Sequence, residues 1–196
     1  MIVGRDFFCR DAAEVSQSLL GKYLVRFVNG SVVGGMIVET EAYYGPEDPA
    51  SHAWKGKRGR NEVMFGPAGC AYIYFIYGNH YLLNVVTGAE GVPGAVLIRG
   101  IEPTFGKSLM KSRRRVKREI DLTNGPGKLT QALGITLALN GADLTSSEIA
   151  VVEEVNPTKL QFSVKSSERI GISRGKKLNL RYYLGGHPSV SVPPRK

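Results

Sequence analysis

The chain has 196 residues, 42% of them hydrophobic, which is enough for one domain (residues 1–196) with an apolar core and excludes a disordered protein. Its net charge of +9 favours a polyanionic partner, nucleic acid ahead of an anionic membrane surface. Two cysteines, Cys9 and Cys70, exclude a disulfide framework and indicate a reducing compartment, and the N-terminal residues do not form a secretory signal.

The first elements are a predicted helix and a predicted β-hairpin. Asp11 is a typical N-cap for a helix over residues 11–20, which Gly21 would end. A strand follows at residues 22–27, and Asn29-Gly30 is typical of a type I′ turn.

The returning strand, residues 36–43, carries two carboxylates. Alternation places Ile37, Glu39, Glu41 and Tyr43 on one face, so both carboxylates have apolar neighbours. A carboxylate in partly apolar surroundings can act as a base toward water. The alternative is the solvated face of an edge strand, which would do no chemistry.

Residues 63–89 carry no charge and predict a hairpin. The stretch is long enough to span a membrane, but glycine and proline at 66–69 and the Gly78-Asn79 turn interrupt it. Tyr77 would then lie at or near the hairpin tip, where an aromatic ring between basic loops could wedge between bases. The alternative for Tyr77 is packing in the core, and Tyr74 is expected to be mostly buried.

Arg99 lies inside the apolar run of a predicted strand at residues 94–103. A buried arginine needs a partner, so we expect a carboxylate or a bound anion beside it. The alternative is an arginine at the sheet edge that reaches out to water.

Three basic stretches suit phosphates. Residues 53–62 form a loop with Lys55, Lys57, Arg58 and Arg60, for which the alternative is a solvated loop. Residues 107–118, a helix or a mobile loop, contain seven Lys or Arg. The second stretch could equally be a localisation signal or merely solvated. A helix is predicted from residue 124 to about residue 140, and Lys128 in its first turn lies beside backbone N–H groups that could hold a phosphate.

The remaining pattern predicts two strands around Asn156-Pro157, then a short strand before a Gly-Gly-His-Pro turn within 169–191. Short strands with hairpin signals and few helices indicate an α+β fold: a curved, mainly antiparallel sheet, roll-like or barrel-like, with peripheral helices. The three histidines lack metal-ligand spacing, so no metal site is expected.

Together, a carboxylate, Arg99, flat rings and a basic surround suit a nucleobase drawn out of its helix, with water activated at the sugar carbon. Two other classes fit some of these features. A non-catalytic protein could stack bases on the same rings. A carbohydrate hydrolase could use Glu39 and Glu41, but it would need an acidic or neutral cleft.

Four strings in the right order resemble the alkyladenine, or 3-methyladenine, DNA glycosylase family, the monofunctional type without a helix-hairpin-helix: VETEAYYGPEDPASH, YIYFIYGNHYLLN, VLIRGIEP and GPGKLTQALGI. The resemblance implies a base-excision-repair enzyme that flips a damaged purine, hydrolyses its N-glycosidic bond and leaves an abasic site without lyase activity. The implied substrates are 3-methyladenine, 7-methylguanine, hypoxanthine and ethenoadenine.

The resemblance also implies roles for single residues. Glu41 would be the general base, Arg99 would help to hold the attacking water, and the main-chain carbonyl of Ile172 would be the third contact of that water. The other implied roles concern the base: Tyr43, His52 and Tyr74 sandwich the purine, Tyr77 fills the gap in the duplex, and Asn84 excludes normal guanine by its bulk.

The implied partner is double-stranded DNA containing damaged purines, with no cofactor, no membrane and no obligate protein partner, for a monomer. The implied location is cytoplasmic and nucleoid-associated in a bacterium, or nuclear in a eukaryote. Asn79 departs from the larger apolar residues that relatives can carry, so the wedge region could bend DNA differently.

Overall fold

The computed structural model describes residues 1–146, 148–153 and 162–191, which fold around one curved antiparallel sheet with short helices at its periphery. The predicted α+β class is therefore confirmed. The strands are β1 (Tyr23–Val28), β2 (Ser31–Tyr43), β3 (Ala71–Ile76), β4 (His80–Val86), β5 (Ala95–Phe105), β6 (Ile149–Val152), β7 (Val164–Ser167) and β8 (Arg181–Leu184). The α-helices are α1 (Arg5–Phe8), α2 (Ala12–Ser18), α3 (Lys107–Arg113) and α4 (Pro126–Leu133).

Strand β2 lies at the centre of the sheet. The strand order is β3-β4-β5-β2-β1-β6, and β8 pairs with the end of β2 beyond β1, while β7 pairs with β8. Residues 37–42 are all buried as a result. The edge-strand alternative for residues 36–43 is wrong, because β5 covers one side of β2 and β1 and β8 share the other.

The local signals at the start of the chain are confirmed. The Asp11 side chain accepts hydrogen bonds from the N–H groups of Ala13 and Glu14 and so caps α2, which ends three residues before Gly21. Asn29 and Gly30 have φ of 48° and 74°, as a type I′ turn requires.

The uncharged segment forms the predicted hairpin, β3–β4. Asn79 N–H donates to the carbonyl of Ile76 at 3.3 Å, so Tyr77 and Gly78, with φ of 55° and 73°, are the central turn residues. The turn is thus one residue earlier than the predicted Gly78-Asn79. Tyr77 is 79% exposed, which rules out its packing in the core. Among the residues described, no helix is long and apolar enough to cross a membrane.

The basic stretch at 107–118 begins as α3, whose residues Lys107 and Lys111 both pair with Glu119. Helix α4 begins after Gly125 as expected but ends at Leu133, so its predicted end near Asn140-Gly141 is wrong. Gly134 takes a left-handed φ of 70°, and the side chains of Arg26 and Arg113 hydrogen-bond the last carbonyls of α4. A separate 3₁₀ turn, Leu137–Leu139, follows.

Two clusters of buried apolar side chains hold these elements together. The larger lies between the sheet and the helices, and the smaller, built on Tyr72 and Met64, supports the loop that carries His52. Strands β6 and β7 match the two predicted around residues 156–157, and β8 matches the strand predicted within 169–191. The Asn156-Pro157 turn itself lies outside the described residues.

The left-handed backbone of Tyr77 costs a β-carbon-bearing residue about 1 kcal/mol or more. We therefore expect Tyr77→Gly to leave the free energy of unfolding equal to the native value or up to about 1 kcal/mol above it, and Tyr77→Val to lower it by about 1 kcal/mol. Urea unfolding of the three proteins measures both effects. A Tyr77→Gly protein as unstable as Tyr77→Val would show that the ring itself stabilises the hairpin.

Candidate active site

An open cavity of about 560 Å³ lies between β5, the β3–β4 hairpin, the first turn of α4 and two loop segments, 49–52 and 170–174. Aromatic and apolar side chains make up much of its wall. The cavity brings together eight of the predicted site residues: Tyr43, His52, Tyr74, Tyr77, Asn84, Arg99, Lys128 and Ile172. Glu41 lies just beneath the wall, fully buried, and bonds to residues that line it.

The first carboxylate below the cavity, Glu39, is saturated with donors. Its Oε1 accepts from Arg99 Nε at 2.9 Å and Arg181 Nε at 2.7 Å, and Ser191 bonds both of its oxygens. Burial raises the pKa of Glu39, but Arg99 and Arg181 outweigh that effect, so its pKa is lowered. Glu39 is therefore ionised at neutral pH and fixes two arginines.

The second carboxylate, Glu41, has fewer partners. Its Oε2 accepts from the Tyr43 hydroxyl at 2.8 Å and lies 3.3 Å from Arg99 Nη1, and its Oε1 accepts the Ile170 N–H at 2.7 Å. Burial raises the pKa of Glu41, and Arg99, the Ile170 N–H and the Tyr43 hydroxyl offset only part of this rise. The Glu41 carboxylate is thus the more basic of the two.

Irregular pairing between β2 and β5 places these groups. Ile37 pairs with Ile101, Glu39 with Gly100 and Thr40 with Ile98, so the register shifts on both sides of Glu39. Such bulges redirect side chains and are common beside active sites. Arg99 emerges at this irregularity, only 6% exposed and paired with both carboxylates. The expected carboxylate partner is confirmed, and the alternative of an arginine reaching water is wrong.

His52 and Tyr74 form one aromatic side of the cavity. Their ring centres are 4.5 Å apart with planes at 70°, which leaves no room for a purine between them. The His52 Nδ1 lies 2.7 Å from the Tyr72 hydroxyl, and burial, helped by Arg60, lowers the pKa of His52 to about 4. His52 is therefore neutral at pH 7. Tyr74 is mostly buried, as expected, and lines the cavity.

Tyr43 rests on a buried ion pair that the sequence patterns did not reveal. The Arg169 guanidinium lies over the Tyr43 ring, 4.6 Å from its centre, and forms two hydrogen bonds to Asp48, at 2.6 and 2.8 Å. Burial and the Glu41 carboxylate raise the pKa of Tyr43 well above 10, so its hydroxyl stays protonated. Asp48 lies inside the string VETEAYYGPEDPASH, but no spacing rule pairs it with an arginine 121 positions away.

The remaining predicted residues differ in placement. Asn84 is buried, and its side-chain amide donates to the Tyr72 carbonyl at 3.1 Å, which fixes its orientation at the cavity wall. Lys128 borders the cavity and bonds Asn124. Lys57, Arg58 and Arg60 are exposed and do not line the cavity, although Arg60 is close enough to affect the pKa of His52.

Within residues 1–146, 148–153 and 162–191, no cluster of His, Cys, Asp and Glu has the geometry to hold a metal ion. The polar groups at the cavity floor are instead one basic carboxylate, one guanidinium and a phenol. This set suits the activation of a water molecule beside a flat, ring-shaped ligand.

Comparison with known proteins gives the family. The chain belongs to the methylpurine-DNA glycosylase family, whose profile matches residues 6–188. A Carboxydothermus hydrogenoformans relative is 50% identical over 191 residues, which cover 97% of this chain and 99% of the relative. A Methanoculleus marisnigri relative is 47% identical, over 94% of this chain and 96% of the relative. A Chlorobaculum tepidum relative is 45% identical, over 99% of this chain and 95% of the relative. All three carry the provisional name 3-methyladenine DNA glycosylase.

The two carboxylates should respond oppositely to neutralisation. The lowered pKa of Glu39 means that its charge stabilises the fold, a contribution present above its unfolded pKa and lost as pH falls through its folded pKa. The raised pKa of Glu41 means that its protonated form is the stabilising one, and this contribution is lost as pH rises through its folded pKa. We expect Glu39→Gln to cost about 3 kcal/mol, and Glu41→Gln to cost nothing or to stabilise, in thermal unfolding at pH 7.

These variants control for each other, since both exchange a fully buried carboxylate on β2 for its amide. Equal melting temperatures for Glu39→Gln and Glu41→Gln would contradict the different environments assigned to the two groups.

Proposed function

We propose that this protein is a DNA glycosylase that hydrolyses the N-glycosidic bond of alkylated purines in duplex DNA and leaves an abasic site. The observation that carries the proposal is Glu41, a buried carboxylate of raised pKa beneath a ring-lined cavity, in a chain of the methylpurine-DNA glycosylase family. The names of the relatives support the same chemistry.

Glu41 accepts a proton from a water molecule as that water attacks C1′ of the damaged nucleotide. The C1′–O bond forms while the bond between C1′ and the purine nitrogen breaks, and the base leaves with the bonding electrons. Arg99 Nη1, 3.3 Å from Glu41, holds the same water, and the carbonyl of Ile172, a residue that lines the cavity, supplies a third contact. The reaction consumes only water, so it requires no cofactor.

A purine alkylated at N3 or N7 is a cation and leaves as a neutral base, so it needs no acid. The phenol rings of Tyr43 and Tyr74 attract such a base by cation–π interactions of about 0.5–2 kcal/mol each. Neutral His52 adds an uncharged ring that does not repel it. The rings of His52 and Tyr74 touch and leave no gap for a base between them. The purine therefore lies between Tyr43 and the His52–Tyr74 pair. Hypoxanthine and ethenoadenine are neutral and are released more slowly.

Access to C1′ requires the nucleotide to leave the helix. Tyr77, 79% exposed at a hairpin tip beside the cavity, fills the space that the flipped base leaves. Asn84, fixed by Tyr72, opposes the exocyclic amine of normal guanine. Lys57, Arg58, Arg60 and Lys128 contact the DNA backbone.

The two other classes fit the geometry less well. A carbohydrate hydrolase needs two available carboxylates, whereas four hydrogen bonds engage Glu39. A protein that only stacks bases has no use for a buried carboxylate of raised pKa. The protein acts as a monomer. The DNA substrate and the bacterial and archaeal relatives support action at the genome in the cytoplasm.

The direct test uses duplex DNA with 7-methylguanine or hypoxanthine at one position. We expect the native protein to release both free bases and leave alkali-labile abasic sites without a strand nick. Glu41→Gln should bind the lesion DNA but release base at least about a hundredfold more slowly, because general-base catalysis contributes about 10²–10⁴-fold. Tyr77→Gly, with an intact fold, should lose affinity for lesion DNA instead.

If the native protein binds lesion DNA tightly but releases no base, the glycosylase hypothesis is wrong and the non-catalytic base-stacking protein takes its place. Undiminished release by Glu41→Gln would leave the enzyme but remove Glu41 as its base. Release of the cationic base alone would restrict the substrates to alkylated purines.

The pH dependence should report Glu41. Since the base acts as a carboxylate and burial raises its pKa, we expect single-turnover release of 7-methylguanine to fall on the acid side with a midpoint above the usual value for glutamate, about 4.3. A pH series under excess enzyme measures the midpoint. A rate that stays constant down to pH 4 would contradict a base of raised pKa.

A further inference from the structure

The ion pair beneath Tyr43 touches three parts of the site at once. Arg169 and Asp48 are 5% and 1% exposed, and Arg169 Nη1 also donates to the Ala42 carbonyl on β2 at 2.9 Å. The same guanidinium lies over the Tyr43 ring. Asp48 accepts hydrogen bonds from the N–H groups of Tyr44 and Ala50, both at 3.1 Å, so the loop ahead of His52 is folded around it.

Ile170, the residue after Arg169, connects the ion pair to the Glu41 carboxylate. Ile170 N–H donates to Glu41 Oε1 at 2.7 Å, and the following residues, 170–174, line the cavity. The segment from Arg169 to Arg174 contains no helix or strand, so no sheet or helix ladder holds this N–H in place. The Arg169–Asp48 pair and the contact with Ala42 are the buried bonds next to it.

We propose that Arg169 and Asp48 are positioning residues for the reaction: their buried pair anchors the segment that presents the Ile170 N–H to Glu41 and supports the back of the Tyr43 ring. This inference rests on the proposed glycosylase function. Neither residue reaches the cavity, so both act through Glu41 and Tyr43.

The charged and polar groups around Glu41 determine how the Arg169–Asp48 pair, here called the anchor, affects the pKa of Glu41. The groups that influence the Glu41 carboxylate are Arg99 on β5, Tyr43 and Glu39 on β2, the Ile170 N–H, Tyr74 on β3 and Arg169. Arg181 on β8 bonds Glu39 rather than Glu41. Two of these influences that favour the charged carboxylate, the Ile170 N–H and the Arg169 cation, depend on the anchor. Their loss makes Glu41 harder to ionise.

The test replaces the whole pair, since removal of one partner would strand a buried charge. The double variant is Asp48→Asn with Arg169→Met, which keeps the net charge and replaces the guanidinium by a shorter, apolar side chain. The matched control is Asp121→Asn with Arg118→Met, because Arg118 and Asp121 also form a two-bond pair, at 2.8 and 3.0 Å, with Arg118 largely exposed. Arg169→Lys serves as a milder second variant, which keeps the positive charge but cannot form both hydrogen bonds of the guanidinium to Asp48.

Two readouts are followed against pH. The first is carbon-13 NMR of labelled glutamate carboxyls, with the Glu41 signal assigned by Glu41→Gln. The second is single-turnover release of 7-methylguanine. We expect both midpoints to rise by about one pH unit in the Asp48/Arg169 double variant, by less in Arg169→Lys, and not at all in the control.

A Glu41 midpoint equal to the native one in a folded double variant would overturn the proposal, as would an equal rise in the control. If circular dichroism shows that the double variant does not fold, the result with Arg169→Lys decides by the same criterion. The NMR titration needs no substrate, so it tests the anchor separately from the glycosylase activity. Absence of base release by the native protein would refute the function and not the anchor.

Discussion

The structure depends on a group of four buried charges between β2, β5 and β8. Two glutamates on β2 face two arginines, and the charges sum to zero, but the bonds are shared unevenly. Glu39 is bonded by both Arg99 and Arg181, whereas Glu41 reaches only one Nη atom of Arg99. Burial of a charge is costly unless it is fully paired. The uneven sharing therefore leaves Glu39 as the structural anion and Glu41 as the more basic carboxylate.

The same unevenness relates the fold to the site. The pairing irregularity around Glu39 brings Arg99 between the two carboxylates, and β8 pairs with β2 only at residues 39–41. The aromatic wall then comes from the β3–β4 hairpin and from the loop that ends at His52. Sheet architecture thus positions the charged floor of the cavity, while a hairpin and two loop segments supply the groups that would meet the base.

Much of this could be predicted from the sequence where the signal is local. Capping and turn chemistry predict the helix cap at Asp11, the turn at Asn29-Gly30 and the β3–β4 hairpin. The position of Arg99 in an apolar run predicted a carboxylate or anion partner. Non-local geometry could not be predicted. No sequence rule places the shifts in pairing on either side of Glu39, and these shifts bring Arg99 to both carboxylates. Arg169 and Asp48 were missed because the pair joins positions far apart in the chain.

The end of α4 shows the other limit. Apolar periodicity continues past Leu133, but Gly134 takes a left-handed conformation that arginines from β1 and α3 fix by bonding the last carbonyls. The family resemblance rested on long strings and named candidate residues, whereas the different environments of Glu39 and Glu41 are visible only in the structure. Two carboxylates one residue apart in a strand look equivalent in the sequence.

The hydrogen bonds from Ser191 to Glu39 join residues 152 positions apart. A ribosome releases the chain from its N-terminal side, so β2 emerges long before Arg181 and Ser191 do. Until then Glu39 lacks three of its four hydrogen bonds, and the charged floor of the cavity is incomplete. The nascent chain therefore carries the aromatic hairpin before the charged groups beneath the cavity are complete. If Glu41 acts as proposed, catalysis waits until almost all of the described residues have been synthesised.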